Sequence, residues 1–208
     1  MASLFNPAEA NDARLHAPAT ARNRDVILDV LKEHLPHTGI LYEIAAGTGE
    51  HALYFSEAFP DVLWHPTDID ESHLISIDAW RNHSGTGNLK PASYFNVLGD
   101  IFPENTDAIL AINLIHIAPW QVAKTLIEKA GNTLKTDGVL FLYGPYQQNG
   151  NHTSESNAAF DISLKSRNPE WGIRHMEDIT LLAEENGFSE PTIVPMPANN
   201  FSLIFKRK

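Results

Sequence analysis

Apolar positions along this chain alternate between short continuous runs and stripes at helical spacing, and the alternation itself predicts the architecture. Ile27, Val30, Leu31 and Leu35 share one face, which predicts a leading helix from Ala21 to Leu35, stopped by Pro36. An apolar strand follows over Gly39 to Ala45 and ends in a turn of small residues. The segment Glu50 to Phe59, with Ala52, Phe55 and Phe59 on one side, is a helix ended by Pro60. Val62 to Asp68 reads as a second strand, with Pro66 marking an end or an irregularity. A helix over about Glu71 to His83 leads to a short third strand at Ala92 to Val97, and the nearly all-apolar Asp107 to Asn113 is the fourth. Pro119 opens a helix whose Ala123, Leu126, Ile127, Ala130 and Leu134 form a stripe. Thr136-Asp137-Gly138 then turns it into a fifth strand, Val139 to Tyr143.

Five alternations of strand and helix imply an α/β fold with a doubly wound parallel sheet covered on both faces by right-handed crossovers. Ligands of such sheets bind at the carboxyl ends of the strands. The pattern loosens from Gly144 to His175, where a short helix near Ala158 to Arg167 is expected, and Phe160, Trp171 and Ile173 favour an ordered cover. Met176 to Asn186 is the last helix, with Gly187 as its cap. Pro191 to Met196 and Phe201 to Lys206 form a terminal hairpin. Residues 1–20, rich in Ala, Asn and Pro, are expected to be a loosely ordered N-terminal arm, and residues 21–208 a single domain.

Charge and composition narrow the partners. With 15 Lys+Arg against 26 Asp+Glu, the net charge of -11 repels phosphate backbones, so no nucleic-acid substrate is expected. No apolar run approaches the roughly 18 residues of a membrane helix, so no membrane association is expected. Cysteine is absent, which removes disulfides and thiol chemistry, and no charged-apolar-small leader opens the chain. A cytoplasmic setting is the expectation. No metal-binding motif is present, and no metal is expected.

The chemistry gathers at the first turn. Gly47-x-Gly49-x-x-Ala52, with Asp68 about 20 residues on, satisfies a dinucleotide fingerprint in which the acid holds a ribose. An NAD-linked oxidoreductase and an S-adenosylmethionine-dependent enzyme would need nearly the same parts. Glu43 separates them: an acid inside the first strand would repel a pyrophosphate and suit a cationic cofactor, unless it merely caps backbone groups of the turn. The terminal hairpin and the acidic net balance point the same way.

Glu43-Ile44-Ala45-Ala46-Gly47-Thr48-Gly49 resembles motif I of the class I S-adenosylmethionine-dependent methyltransferases, with Ala45 where many members have the first glycine. Ala21-Arg22-Asn23-Arg24, Gly144-Pro145-Tyr146, Asn168-Pro169-Glu170-Trp171-Gly172 and Met196-Pro197-Ala198-Asn199-Asn200 are similar to the methyltransferase-like 26 (DUF938) family. The resemblance implies a Rossmann-like, mostly parallel seven-stranded sheet with an antiparallel C-terminal strand, and methyl transfer from S-adenosylmethionine to an unidentified small molecule. It implies cofactor contacts at Glu43, Ala45, Gly47, Gly49 and Asp68, at Asn96 near the adenine, and at Asn113 in the motif IV position. His116 is the first candidate for a general base, on the ground that imidazole titrates near neutrality, unless it merely bonds the backbone of its loop. Tyr146 is a second catalytic candidate, and His51 and Tyr143 are weaker ones. Tyr146, Asn157, Arg167 and Trp171 lie in the cover, where a lid would exclude water. Arg22, Asn23, Asn199 and Asn200 are candidates for a rim around the substrate, as is Tyr143. A non-catalytic cofactor-binding scaffold is the reading outside enzymes.

Overall fold

Strand and helix alternate as the apolar pattern predicts in the computed structural model, which describes residues 6–7 and 12–208. The fold is α/β, with a mostly parallel sheet and an antiparallel C-terminal strand. Two compact units divide the chain, Met1–Asn96 and Val97–Lys208.

In the first unit, α1 (Pro18–His34) begins ahead of Ala21 because Pro18 occupies its first turn, where a missing N–H costs nothing. Strands β1 (Gly39–Ile44) and β2 (Val62–Asp68) pair in parallel, with α2 (Glu50–Ala58) between them. α3 (Glu71–Ser84) is capped by the Asp70 carboxylate, which accepts from Ser72 N at 2.8 Å, and closed by Gly85 at φ 70°. Leu41, Phe55, Trp64 and Ile77 are fully buried, each contributing about 2–3 kcal/mol of apolar burial.

Pro66 does not end β2. Trp64 directs its N–H to Asn88 O, so Pro66, two residues on, would direct an N–H to the same side, where the neighbouring chain is off the ladder between Lys90 and Ser93. The absent donor therefore costs little. β3 is shorter than expected, Ser93–Tyr94, because Pro91 has no N–H and Ala92 N is taken by Asp78 Oδ1 at 3.0 Å. Asn96 lies two residues past it.

Part of the expected arm makes defined contacts. Leu15 N donates to Ser76 Oγ (2.8 Å), Trp80 Nε1 to Leu15 O (3.0 Å) and Ala17 N to Glu50 Oε2 (2.6 Å). Asn6–Pro7 pairs with Leu15–His16. Residues 1–5 and 8–11 lie outside the described residues.

In the second unit, β4 (Thr106–Ile112) runs parallel to β5 (Leu134–Gln148), with α4 (Trp120–Thr133) as the crossover. β5 is far longer than the Val139–Tyr143 run that marks it: Gly138 to Tyr146 is buried throughout. The expected turn survives inside it as an irregularity, with Thr106 opposite Leu134 but Ala108 opposite Val139. Asn149 (φ 50°) and Gly150 (φ 75°) turn the chain back so that Asn151–His152 pairs with Gln147–Gln148. α5 (Glu155–Arg167) starts at its Ser154 cap, ahead of Ala158, and α6 (Met176–Glu185) follows. The terminal hairpin of β6 (Thr192–Met196) and β7 (Asn200–Lys206) joins β5 antiparallel. Among the described residues no helix is long and apolar enough to cross a membrane, and no group of three His, Asp or Glu could hold a metal ion.

Candidate functional site

At the carboxyl end of β1 the backbone turns through three left-handed residues, Ala45 (φ 56°), Gly47 (φ 60°) and Gly49 (φ 88°). A Cβ at Gly49 would lie 2.8 Å from Ile77 Cα, so the turn packs onto α3 only without a side chain there. A Cβ at Gly47 would meet nothing within 4 Å, so the turn faces open space at that point. Asp68, at the end of β2, organises the turn: its Oδ2 accepts from Gly47 N (2.9 Å). Its Oδ1 accepts from Ile69 N (2.8 Å) and Asp70 N (3.0 Å), and His73 Nδ1 stands 3.2 Å away. That pairing pushes the His73 pKa up.

Glu43 sits below this turn and is 2% exposed. Its Oε2 accepts from Trp64 Nε1 at 2.7 Å, while Thr67 Oγ1 donates to its backbone carbonyl at 2.9 Å. The turn amide of Gly47 is held by Asp68 and not by Glu43. Burial pushes the Glu43 pKa up to about 8; the Trp64 hydrogen bond opposes this and the charge on Asp68 adds to it. At neutral pH Glu43 is therefore a neutral acid.

Elsewhere in the first unit, Asn23 Oδ1 meets His51 Nε2 at 2.9 Å, and burial pushes His51 down to about 4, helped by Arg24. Arg24 lies over the Tyr54 ring at 4.6 Å, Arg22 is exposed and Asn96 is half-buried.

The second unit gathers another set. Asn113 (φ 60°) donates from its backbone to Tyr143 O at 2.8 Å and starts the short turn Leu114–His116. His116 is 1% exposed and neither ring nitrogen has a hydrogen-bond partner. Tyr146 packs edge-on against it, ring centres 5.0 Å apart, and its buried hydroxyl is also unpartnered. A Cβ at Gly144 would overlap His116 Nε2, so this glycine is the floor under the ring. Burial, with the Arg174 charge, pushes His116 down to about 3. The imidazole is thus neutral throughout the physiological range and does not titrate near neutrality as its residue type suggests. Burial pushes the Tyr146 phenol well up.

The cover packs over the same strand. Asn157, buried, donates to Thr153 Oγ1 and Asn199 O, both at 2.9 Å, and Arg167 lies over the Trp171 ring at 5.1 Å. Asn199 (φ 57°) is exposed, and Asn200 Nδ2 donates to Pro197 O at 3.1 Å. Tyr143 is buried in β5. The first unit thus brings together Glu43, Ala45, Gly47, Gly49 and Asp68. The second brings together Asn113, His116 and Tyr146. Arg22 and Asn23 belong to one unit, Asn199 and Asn200 to the other.

Sequence reasoning missed His73, Trp64, Gly144, Asp161 and Arg174. Gly144 carried a signal, a glycine directly after an apolar strand, and Asp161 is an acid in the helix of the cover. Nothing in the sequence marks Arg174.

This is the Rossmann-like fold of the class I methyltransferases. Human N-acetylserotonin methyltransferase in complex with S-adenosylmethionine matches with a TM-score of 0.72 at 13% identity, over 91% of this chain and 52% of that one. An O-methyltransferase family protein from Burkholderia thailandensis matches at 0.74 and 16%, over 91% and 57%. An O-methyltransferase family 2 protein from Planctomyces limnophilus, in complex with apigenin, matches at 0.75 and 17%, over 91% and 60%. The chain spans little more than half the length of these proteins. Residues 14–207 match the family described as "Protein of unknown function (DUF938)", and the chain belongs to that family.

Proposed function

We propose that this protein is an S-adenosylmethionine-dependent methyltransferase acting on a small molecule, related to methyltransferase-like 26. The observation that carries this reading is the β1 turn with Asp68 behind it. The left-handed residues open the turn backbone to a ligand, and Asp68 Oδ2, which accepts from Gly47 N, retains a lone pair for a ribose hydroxyl. Protonated at neutral pH, Glu43 would not repel a pyrophosphate as a carboxylate would and so does not by itself separate the two cofactors, while an approaching cation would favour its ionised form. Solved structures of this fold include complexes with S-adenosylmethionine and S-adenosylhomocysteine, which supports the choice over NAD.

The cofactor, when bound, supplies an electrophilic methyl group. Gly47, Gly49 and Asp68 would hold it, with Ala45, Asn96 and Asn113 as further contacts. On the acceptor side, His116 offers the lone pair of a neutral imidazole to a protonated acceptor atom, and the Tyr146 hydroxyl offers a donor. Both are buried, so the cover containing Asn157, Arg167 and Trp171 admits and then encloses the acceptor. Arg22, Asn23, Tyr143, Asn199 and Asn200 are assigned to acceptor recognition. The apigenin complex of the Planctomyces protein supports an acceptor of small-molecule size.

Calorimetric titration tests the reading. S-adenosylmethionine and S-adenosylhomocysteine should bind with micromolar-range affinity, Asp68→Ala should weaken both about tenfold or more, and NADH should give no heat. Binding of NADH in place of the two would overturn it. A protein that binds both yet tolerates His116→Ala and Tyr146→Phe in cells would instead be a scaffold.

A further inference from the structure

The turn that carries His116 is held through its backbone. Arg174 Nε donates to Ile115 O (2.9 Å), Gly172 N to His116 O (3.0 Å) and Arg174 Nη2 to Ala118 O (2.7 Å). A short turn of this kind ends with carbonyls it cannot satisfy itself, and the segment 172–174 supplies their donors. The segment is itself pinned on every side. Ile173 N donates to Asp161 Oδ1 (2.8 Å), Gln147 Nε2 donates to Ile173 O (3.1 Å), and Arg174 stands opposite Tyr146 in parallel register. The guanidinium lies over the Trp120 ring at 5.6 Å and also donates to Glu170 O at 2.9 Å. Asp161 is 4% exposed and anchored by Lys165 Nζ at 2.6 Å.

No side chain holds the imidazole by a hydrogen bond. Its direction is therefore set from three sides: the bracketed backbone, the Gly144 floor and the Tyr146 edge. Only the first of these depends on a side chain outside the strand and the turn.

We propose that Arg174 is the positioning residue for His116, bracketing the Ile115 and Ala118 carbonyls so that the imidazole points in one direction against Tyr146. The inference rests on the reading of His116 and Tyr146 as the acceptor-side pair. A planar fork spans two carbonyls at fixed separation, which a lysine ammonium does not. The charged groups that bear on His116 are Arg174 and Asp161, with the Tyr146 phenol against its edge. A fixed cation beside the turn also disfavours a second positive charge on the ring.

The test needs no substrate. Imidazole nitrogen–proton correlation spectra of the full-length labelled chain, with His116 assigned by loss of its signals in His116→Gln, are followed from pH 8 to pH 5. The wild type should show a neutral ring throughout and a constant proximity signal between the His116 and Tyr146 rings. Arg174→Gln should lose that signal, while burial, the larger cause of the lowered pKa, keeps the ring neutral. Arg174→Lys should keep the ring neutral yet weaken the signal, because it retains the charge without the fork. A folded Arg174→Gln protein with the wild-type ring contact would overturn the proposal. Should Arg174→Gln fail to fold, Arg174→Lys decides in its place, since it removes the fork and keeps the charge; an unchanged ring contact in that folded variant is equally fatal. Failure to bind S-adenosylhomocysteine would defeat the methyl-transfer reading alone, since the ring contact is measured without it.

Discussion

The two candidate site regions of this molecule handle buried polar groups in opposite ways. Around the β1 turn, Asp68 takes three backbone donors and an imidazole, and the buried Glu43 takes the Trp64 ring N–H. Around Gly144, His116 and Tyr146 are as deeply buried, and neither the ring nitrogens of the one nor the hydroxyl of the other has a hydrogen-bond partner. A satisfied polar network fixes one geometry, as a cofactor cradle requires. Each unsatisfied buried group costs about 1–3 kcal/mol, which is tolerated where another molecule completes the bonds. The contrast supports a cofactor side built in advance and an acceptor side finished by its ligand.

The pH dependence of stability should separate the regions most strongly. Below its unfolded-state value near 4.5, Glu43 is protonated in both states and contributes nothing. Between there and about 8 the unfolded chain releases a proton that the folded chain keeps, so stability falls as pH rises. Glu43→Gln should therefore match wild type at pH 4.5 and gain stability up to pH 8, reaching on the order of a few kcal/mol by chemical denaturation. His116 acts with the opposite sign. Its folded pKa, near 3, lies below the ordinary imidazole value of 6.5, so the stability it contributes is present above that value and lost as pH falls toward 3. His51, near 4, adds to the same acid limb, so His116→Gln should flatten that limb only in part.

Removing one polar hydrogen should have opposite signs in the two regions. Trp64→Phe deprives buried Glu43 of its donor and leaves a small cavity, and should cost about 2–3 kcal/mol. Tyr146→Phe removes a hydroxyl that bonds to nothing, and should raise stability by about 1 kcal/mol while lowering turnover. Equal losses in the two variants, measured in the same denaturant titration, would erase the contrast.

The smallest expected effect lies within the turn. Ala45 adopts φ 56°, which disfavours any residue with a Cβ, so Ala45→Gly should gain several tenths of a kcal/mol after its greater unfolded-state freedom is counted. A loss in thermal unfolding would mean that the alanine methyl packs usefully.

Much of the fold was legible because it follows from local chemistry. Apolar period, proline stops and the glycine turn marked each long element except β5 to within a few residues, and an apolar run followed by small residues marked the candidate cofactor turn. Errors fell where pairing overrides local preference. Pro66 is harmless because its missing donor faces an unpaired side, and β5 outruns its apolar core because strands on both sides extend its ladder.

The sequence by itself determined the order of strands and helices and the residue types at the two strand ends, since these depend on spacing along the chain. Only the tertiary structure decided what those residues are chemically. Burial turns Glu43 from a carboxylate into a neutral acid and keeps His116 from holding a proton. The backbone bracket of Arg174, far away in sequence, places that imidazole over a glycine. Protonation and direction depend on desolvation and on partners brought in from distant segments, and neither is written in local pattern.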